Sequence, residues 1–94
     1  MIGQFVFQGT PGGDAICLQL MWSGNERQGV LHVPPDIEAS LLEKEYPVAN
    51  GDQMMLGIAL GHGVTLAALS QCPLRVCGDA SAWPEEWGPL SWPH

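Results

Sequence analysis

Along the first third of the chain, apolar and polar residues alternate in a two-residue rhythm, the signature of strands that bury one side. Three such runs occupy residues 3–8, 15–22 and 29–33. They are parted by Gly9-Thr10-Pro11-Gly12-Gly13-Asp14 and by Ser23-Gly24-Asn25-Glu26-Arg27, both rich in residues that accept turn geometry. In the second run Ile16, Leu18, Leu20 and Trp22 share one side, and Cys17, Gln19 and Met21 share the other. The second side is only partly polar, so a cover is expected there: another sheet, a neighbouring subunit or a ligand.

Pro34-Pro35 stops strand pairing, because proline offers no amide hydrogen, and Asp36 is placed to cap a helix over residues 37–46 that Pro47 ends. Ile37, Leu41, Leu42 and Tyr46 form its apolar stripe, as expected of a surface helix docked on a sheet. Asn50-Gly51 suits a tight turn leading into the next segment.

Residues 54–69 are apolar almost throughout and admit two readings. As a helix they would carry Gly57, Gly61 and Gly63, each weakening it by about 1 kcal/mol relative to alanine. As a hairpin turning at His62-Gly63, they place Met54, Leu56, Ile58 and Leu60 on one side. Met55, Gly57, Ala59 and Gly61 then share a small, apolar other side that invites close packing. The hairpin is the favoured reading, with residues 64–70 returning antiparallel and residues 74–77 adding a short last strand after Pro73. The expected fold is therefore α+β: about six antiparallel strands forming a curved sheet or small open barrel, with one α-helix packed on it.

The tail, residues 79–94, is rich in tryptophan and proline. Pro84 suits a first helical position, Glu85 and Glu86 suit the positive end of a helix dipole, and Gly88-Pro89 closes the turn. Trp83 and Trp87 then project from one side.

Composition narrows the possibilities. With 94 residues, 46% hydrophobic and 14% charged, the chain has enough apolar residues for one packed core and too little length for two, so residues 1–94 are expected to form one domain. Ten acidic against three basic side chains give a net charge of -7, and Arg27, Lys44 and Arg75 are scattered singly. No basic stripe exists to neutralise phosphates, which argues against direct DNA or RNA binding. The segment Met1-Ile2-Gly3-Gln4-Phe5-Val6 lacks the basic and apolar regions of a secretory signal, and three cysteines, Cys17, Cys72 and Cys77, are an odd number for a disulfide framework. A cytoplasmic, reduced protein is the expectation. Residues 54–69 fall short of the roughly 20 apolar residues that span a bilayer, so no membrane association is expected. Gly57-x-x-x-Gly61 signals close helix approach only inside such a span, and is read here as incidental.

Candidate chemistry is sparse. A metal site would need Cys72 and Cys77 with His32, His62 or His94, but the cysteine spacing is wide, Pro73 intervenes and no second ligand pair appears. Inert, buried thiols are the simpler reading, and no cofactor is expected. No nucleophile-elbow sequence surrounds any serine. Glu85 and Glu86 are adjacent and so face apart on a helix, while Asp14, Asp52 and Asp79 each adjoin glycine, where aspartate completes turns. The loop over residues 9–14 lacks the lysine and hydroxyl of a phosphate loop.

The functional residues singled out are therefore those of an adhesive surface. Trp83, Trp87 and Trp92 in the tail are either interface anchors or a lid folded over the sheet, and Trp22, Met54 and Met55 are the apolar residues expected beside them. His62, at the expected turn tip, is expected to be exposed. Two function classes follow. The first is a small acidic, non-catalytic protein-interaction module, a homodimer or the partner of a protein with a basic surface. Its motive is residues 53–78, where only Arg75 interrupts an otherwise uncharged stretch apart from His62. The alternative is a small-molecule-binding protein or minimal enzyme with a pocket between sheet and helix, lined by Met54, Met55, Trp22 and the tail tryptophans.

Overall fold

A computed structural model of the chain describes residues 4–11, 13–45 and 51–91. Its first hairpin is set by local turn chemistry. Strands β1 (Ile16–Ser23) and β2 (Glu26–His32) pair antiparallel from Cys17 opposite His32 to Ser23 opposite Glu26, so Gly24-Asn25 alone makes the turn. Gly24 takes φ 63°, the positive value that a type II′ turn asks of its first central residue. The strands thus run further into the turn than the composition of residues 23–27 suggests.

After Val33 the two prolines end pairing and begin helix α1 (Pro35–Glu43). Pro34 occupies the N-cap with no side-chain cap bond, and its carbonyl accepts from the Glu38 amide at 2.9 Å. Asp36 is not the cap: it lies inside the first turn with Glu38, near the positive end of the helix dipole. Leu41 is fully buried and Ile37 is half-buried, but Leu42 points to solvent, so the expected stripe is narrower than four residues. Tyr46, Pro47 and Asn50 lie outside the described residues.

The largest departure concerns residues 54–69. They are not a hairpin. A short strand β3 (Gln53–Met55) leads straight into helix α2 (Leu56–Ser70), and strand β4 (Leu74–Gly78) follows. The reason lies in sheet topology. The strand order is β3-β2-β1-β4, with β2 antiparallel to both its neighbours and β4 parallel to β1. β3 and β4 therefore run the same way along opposite edges, and a connection between them must cross the sheet, which a two-residue turn cannot do and a helix does. The buried positions Leu56, Ala59, Leu60, Gly63 and Leu66 recur with helical, not alternating, spacing. Residues 64–70 are accordingly helical, and His62 lies in mid-helix, exposed, instead of at a turn. Among the described residues the architecture is α+β, an open sheet of four mixed strands with two helices, in place of about six antiparallel strands and a single helix.

Two glycines decide how closely α2 lies on the sheet. A Cβ on Gly29 of β2 would stand 2.7 Å from the Ala59 Cβ and 2.9 Å from Leu18, closer than carbon atoms approach. A Cβ on Gly63 would stand 3.1 Å from both Leu31 and Leu74, side chains on either flank of β1. Helix and sheet meet there without intervening space, around a core that includes Ile16, Leu18, Leu20, Leu66 and Val76.

The first apolar run forms no full strand. Its described part makes single parallel bridges, Phe7 to Val76 of β4 and Val6 to Ser91, and Val76 and Ser91 bond to it from opposite sides. The following loop starts where the Gly78 amide donates to Gly9 O and ends where the Ile16 amide donates to Pro73 O. It therefore travels back along β4, and Pro11, Gly13 and Ala15 border a small cavity of about 210 Å³ with His32. His32 is opposite Cys17, on the side away from α2, so this loop supplies part of the cover that the half-apolar side of β1 needs.

Because nothing can yield between Gly29 and Ala59 except backbone, Gly29→Ala should lower the unfolding free energy by about 1–3 kcal/mol, as overpacking does. Urea unfolding of dilute protein measures it; unchanged stability would show the contact to be slack.

Candidate functional site

Two of the tail tryptophans, Trp83 and Trp87, belong to the core or pack against it. Asp79 opens this region by accepting from the Ser81 amide at 3.0 Å and the Ser81 hydroxyl at 2.6 Å, which starts the 3-10 turn Ala80–Ala82. A second 3-10 turn, Glu85–Trp87, has Pro84 as its N-cap and ends at Gly88, whose φ of 89° favours glycine. The two turns bring Trp83 and Trp87 edge to face at 5.1 Å, and Phe5 meets Trp83 edge to face at 5.6 Å. Trp83 is buried, and its indole N–H donates to the Gly88 carbonyl at 2.8 Å, so its polar atom is satisfied within the chain. Trp87 is half-buried against the same cluster. Beside them lies a cavity of about 310 Å³ lined by Ala80, Trp83, Glu85, Gly88, Pro89 and Leu90. Trp92 and His94 lie outside the described residues.

Trp22 and Met55 are elsewhere and are exposed. Trp22 ends β1, and the Arg27 guanidinium sits 5.2 Å from its ring centroid, a cation–π contact. With Asn25, Glu26 and Met55 these two residues line a shallow depression of about 480 Å³ at the hairpin end. Met54, next in line to Met55, turns inward and packs against the core. The expected apolar residues that the structure describes are thus divided among the tail cluster, the hairpin end and, for Met54, the core, and none of these lines a pocket between sheet and helix, where Gly29 and Ala59 leave no room.

The structure assembles one group that sequence reading left apart. Cys17 and Cys77 lie on adjacent parallel strands, both fully buried, on the side of the sheet away from α2. The Cys17 thiol hydrogen-bonds to Cys77, and this bond together with burial raises the Cys17 pKa far above the ordinary thiol range. Accepting that bond lowers the Cys77 pKa, with burial opposing. Gln8 also bonds to Cys17, while next to the pair His32 Nε2 donates to Gln19 Oε1 at 2.7 Å. Cys72 is remote from them, half-buried, and donates to the Asp14 carbonyl at 3.0 Å. Among the described residues no three His, Cys, Asp or Glu side chains come together as a metal site.

The residues that sequence reading missed are on the outward side of α2. Ile58, Val64 and Leu69 are exposed there, and Leu42 of α1 is exposed as well. Lys44 Nζ reaches the Leu69 carbonyl at 3.4 Å, which ties the end of α1 to the end of α2. Thr65 and Ser70 return their hydroxyls to the Gly61 and Leu66 carbonyls, so neither adds a free donor to the helix surface. No side chain of α2 is acidic or basic apart from His62. Among the described residues no helix is long and apolar enough to cross a membrane. The signal that could have exposed this surface is the recurrence of Leu56, Ala59, Leu60, Gly63 and Leu66, which assigns residues 58, 64 and 69 to the opposite side.

In native protein at neutral pH a disulfide reagent should modify Cys72 first, with Cys17 and Cys77 reacting only after denaturant is added; rapid native labelling of all three would contradict their burial. Compared with known proteins, the chain matches no protein family, no curated protein and no solved structure.

Proposed function

We propose that the chain is a small acidic, non-catalytic protein-interaction module that associates with itself. One observation carries this reading: Trp22, Leu42, Met55, Ile58, Val64 and Leu69 are each between 40% and 65% exposed on a chain with a net charge of -7. Taking about 200 Å² for a complete large side chain, they leave on the order of 600 Å² of apolar surface bare, spread over the hairpin end, α1 and α2. Four of the six lie on α2 or at its threshold, and Trp22 shares the depression with Met55. The net charge of -7 would suit a basic partner as well, by steering encounter, but apolar area is the feature in need of cover.

The chemistry of the remaining polar groups supports binding over catalysis. Asp79 is committed to a turn, His32 to Gln19, and the Cys17 thiol to Cys77. Three unpaired thiols support placement in a reducing compartment such as the cytoplasm. A small-molecule site finds less support, since the tryptophan-lined cavity and the Trp22 depression are separate and each is shallow.

Light scattering coupled to size exclusion tests the reading. At about 100 µM, some tenfold above a typical weak-dimer constant, the full chain should elute with twice its 10.1 kDa mass and return toward one mass on dilution. A single protomer at every concentration would overturn it.

A further inference from the structure

Two glycines of α2 have no work to do in the protomer. A Cβ placed on Gly57 or Gly61 would meet nothing within 4 Å, in contrast to Gly29 and Gly63, which the sheet forbids from growing. Both point to solvent, and each costs the helix about 1 kcal/mol relative to alanine. With Ala68 they fall on one strip of α2, at helical spacing, as a shallow groove. Ile58, His62 and Leu69 form the adjoining strip, a ridge, with Thr65 between it and the glycines, while Val64 stands on the strip itself, between Gly61 and Ala68, so that the groove is open at Gly57 and Gly61 and closed one turn further on.

We infer that α2 packs against α2 of a second copy of this chain across a two-fold axis, the Ile58–His62–Leu69 ridge of each copy meeting the Gly57–Gly61 groove of the other. This rests on the self-association reading above and names its contact surface. Three observations favour a second copy as the occupant. A ridge beside a groove on one helix is self-complementary, which is what a two-fold interface requires of a single patch. The area is of the right order: Ile58, Val64 and Leu69 on α2, with Met55 at its threshold, leave roughly 400 Å² of apolar surface bare, against the little over half of about 800 Å² that a standard interface takes from each partner. Finally, two copies that each carry a charge of -7 repel one another, and the fifteen residues of α2 hold no acid, so this helix adds no repulsion of its own at the contact. Small residues at 57 and 61, incidental on the sequence reading, would then let the ridge of a second helix settle between them.

The test separates the surface from the association itself. Gly61→Leu puts a side chain in the groove at a position where a Cβ meets nothing within 4 Å and replaces a helix-weakening glycine, so the dilute variant should unfold at the same or higher denaturant concentration than the wild type. Its dimer dissociation constant, measured by sedimentation equilibrium, should rise by roughly tenfold or more. Ile58→Asp should have an equal or larger effect by burying a charge. Gln53→Lys, on the exposed sheet edge and outside the groove and ridge, should leave the constant unchanged. Loss of dimer in Gly61→Leu and Ile58→Asp with Gln53→Lys intact supports the assignment. A wild-type dimer that both helix variants retain, or that Gln53→Lys alone dissolves, overturns the helix contact while leaving self-association standing. A wild-type chain that stays a protomer overturns both.

Discussion

Between Gly29 on β2 and Ala59 on α2 there is no room for another carbon atom, and the rest of the fold is arranged around that contact. The crossover joining β3 to β4 has to traverse β2 and β1, and a helix can lie flat across them only if the strand beneath gives way at the crossing point. Gly29 supplies that gap in the sheet, while Ala59 and Gly63 supply the matching low points on the helix. Leu18, Leu31, Leu56 and Leu74 then close around the crossing. The helix needs this contact because its own ends give it little. Met55 provides no side-chain cap, and no acid lies in its first turn or base in its last. Its C-terminal carbonyls are met by Gln71 in the left-handed conformation, by the Cys72 amide on Ala67 O, and by Lys44 from α1. A helix with such weak termini and three glycines is held by burial far more than by local propensity.

That dependence explains which parts of the structure were legible in the sequence. The β1–β2 hairpin was, because alternation and a Gly-Asn turn are local signals that the tertiary fold did not need to override. Residues 54–69 were not. Leu56, Ile58 and Leu60 also alternate, and Gly57 and Gly61 penalise a helix, so propensity and a two-residue period agreed on a hairpin. Topology decided otherwise: β3 and β4 are parallel and lie at opposite edges, and neither fact can be read from residue order. The glycine at 63, taken as a turn residue, is small because Leu31 and Leu74 crowd it. The tail was legible in part. The turn around Pro84 to Gly88 follows from its residue types, whereas the edge-to-face stacking of Trp83 on Phe5 and Trp87 depends on a segment more than seventy residues earlier in the chain.

The candidate surface was legible in kind but not in place. An uncharged stretch in an acidic chain does announce a face in need of cover. Read as extended chain, that face would be a sheet; as a helix, the same residues divide differently, and Ile58 leaves the company of Leu56 and Leu60 to face solvent. The sheet itself hides its second side by other means. The loop returning along β4, the Gln8 side chain on Cys17 and the His32–Gln19 pair cover much of the side that carries Cys17 and Cys77. Of the six exposed large apolar side chains among the described residues, four are therefore on helices, Leu42 on α1 and Ile58, Val64 and Leu69 on α2, while Trp22 and Met55 stay at the hairpin end of the sheet.

Charge and that surface act on each other in a way that distinguishes an apolar interface from an ion-paired one. In the self-association proposed above each copy would bring a net charge of -7, so long-range repulsion would oppose association, while a contact along α2, which holds no acid, Lys or Arg, would contribute no ion pair. Raising ionic strength from about 0.01 M to about 1 M shortens the screening length from about 30 Å to about 3 Å, which removes most of the repulsion and leaves apolar burial intact. Self-association through α2 should accordingly tighten with salt, whereas a dimer held by Arg27, Lys44 or Arg75 against acids would loosen. Sedimentation across that range reads the sign directly, and a dissociation constant that rises with salt would place the contact among the charged residues and away from the helix.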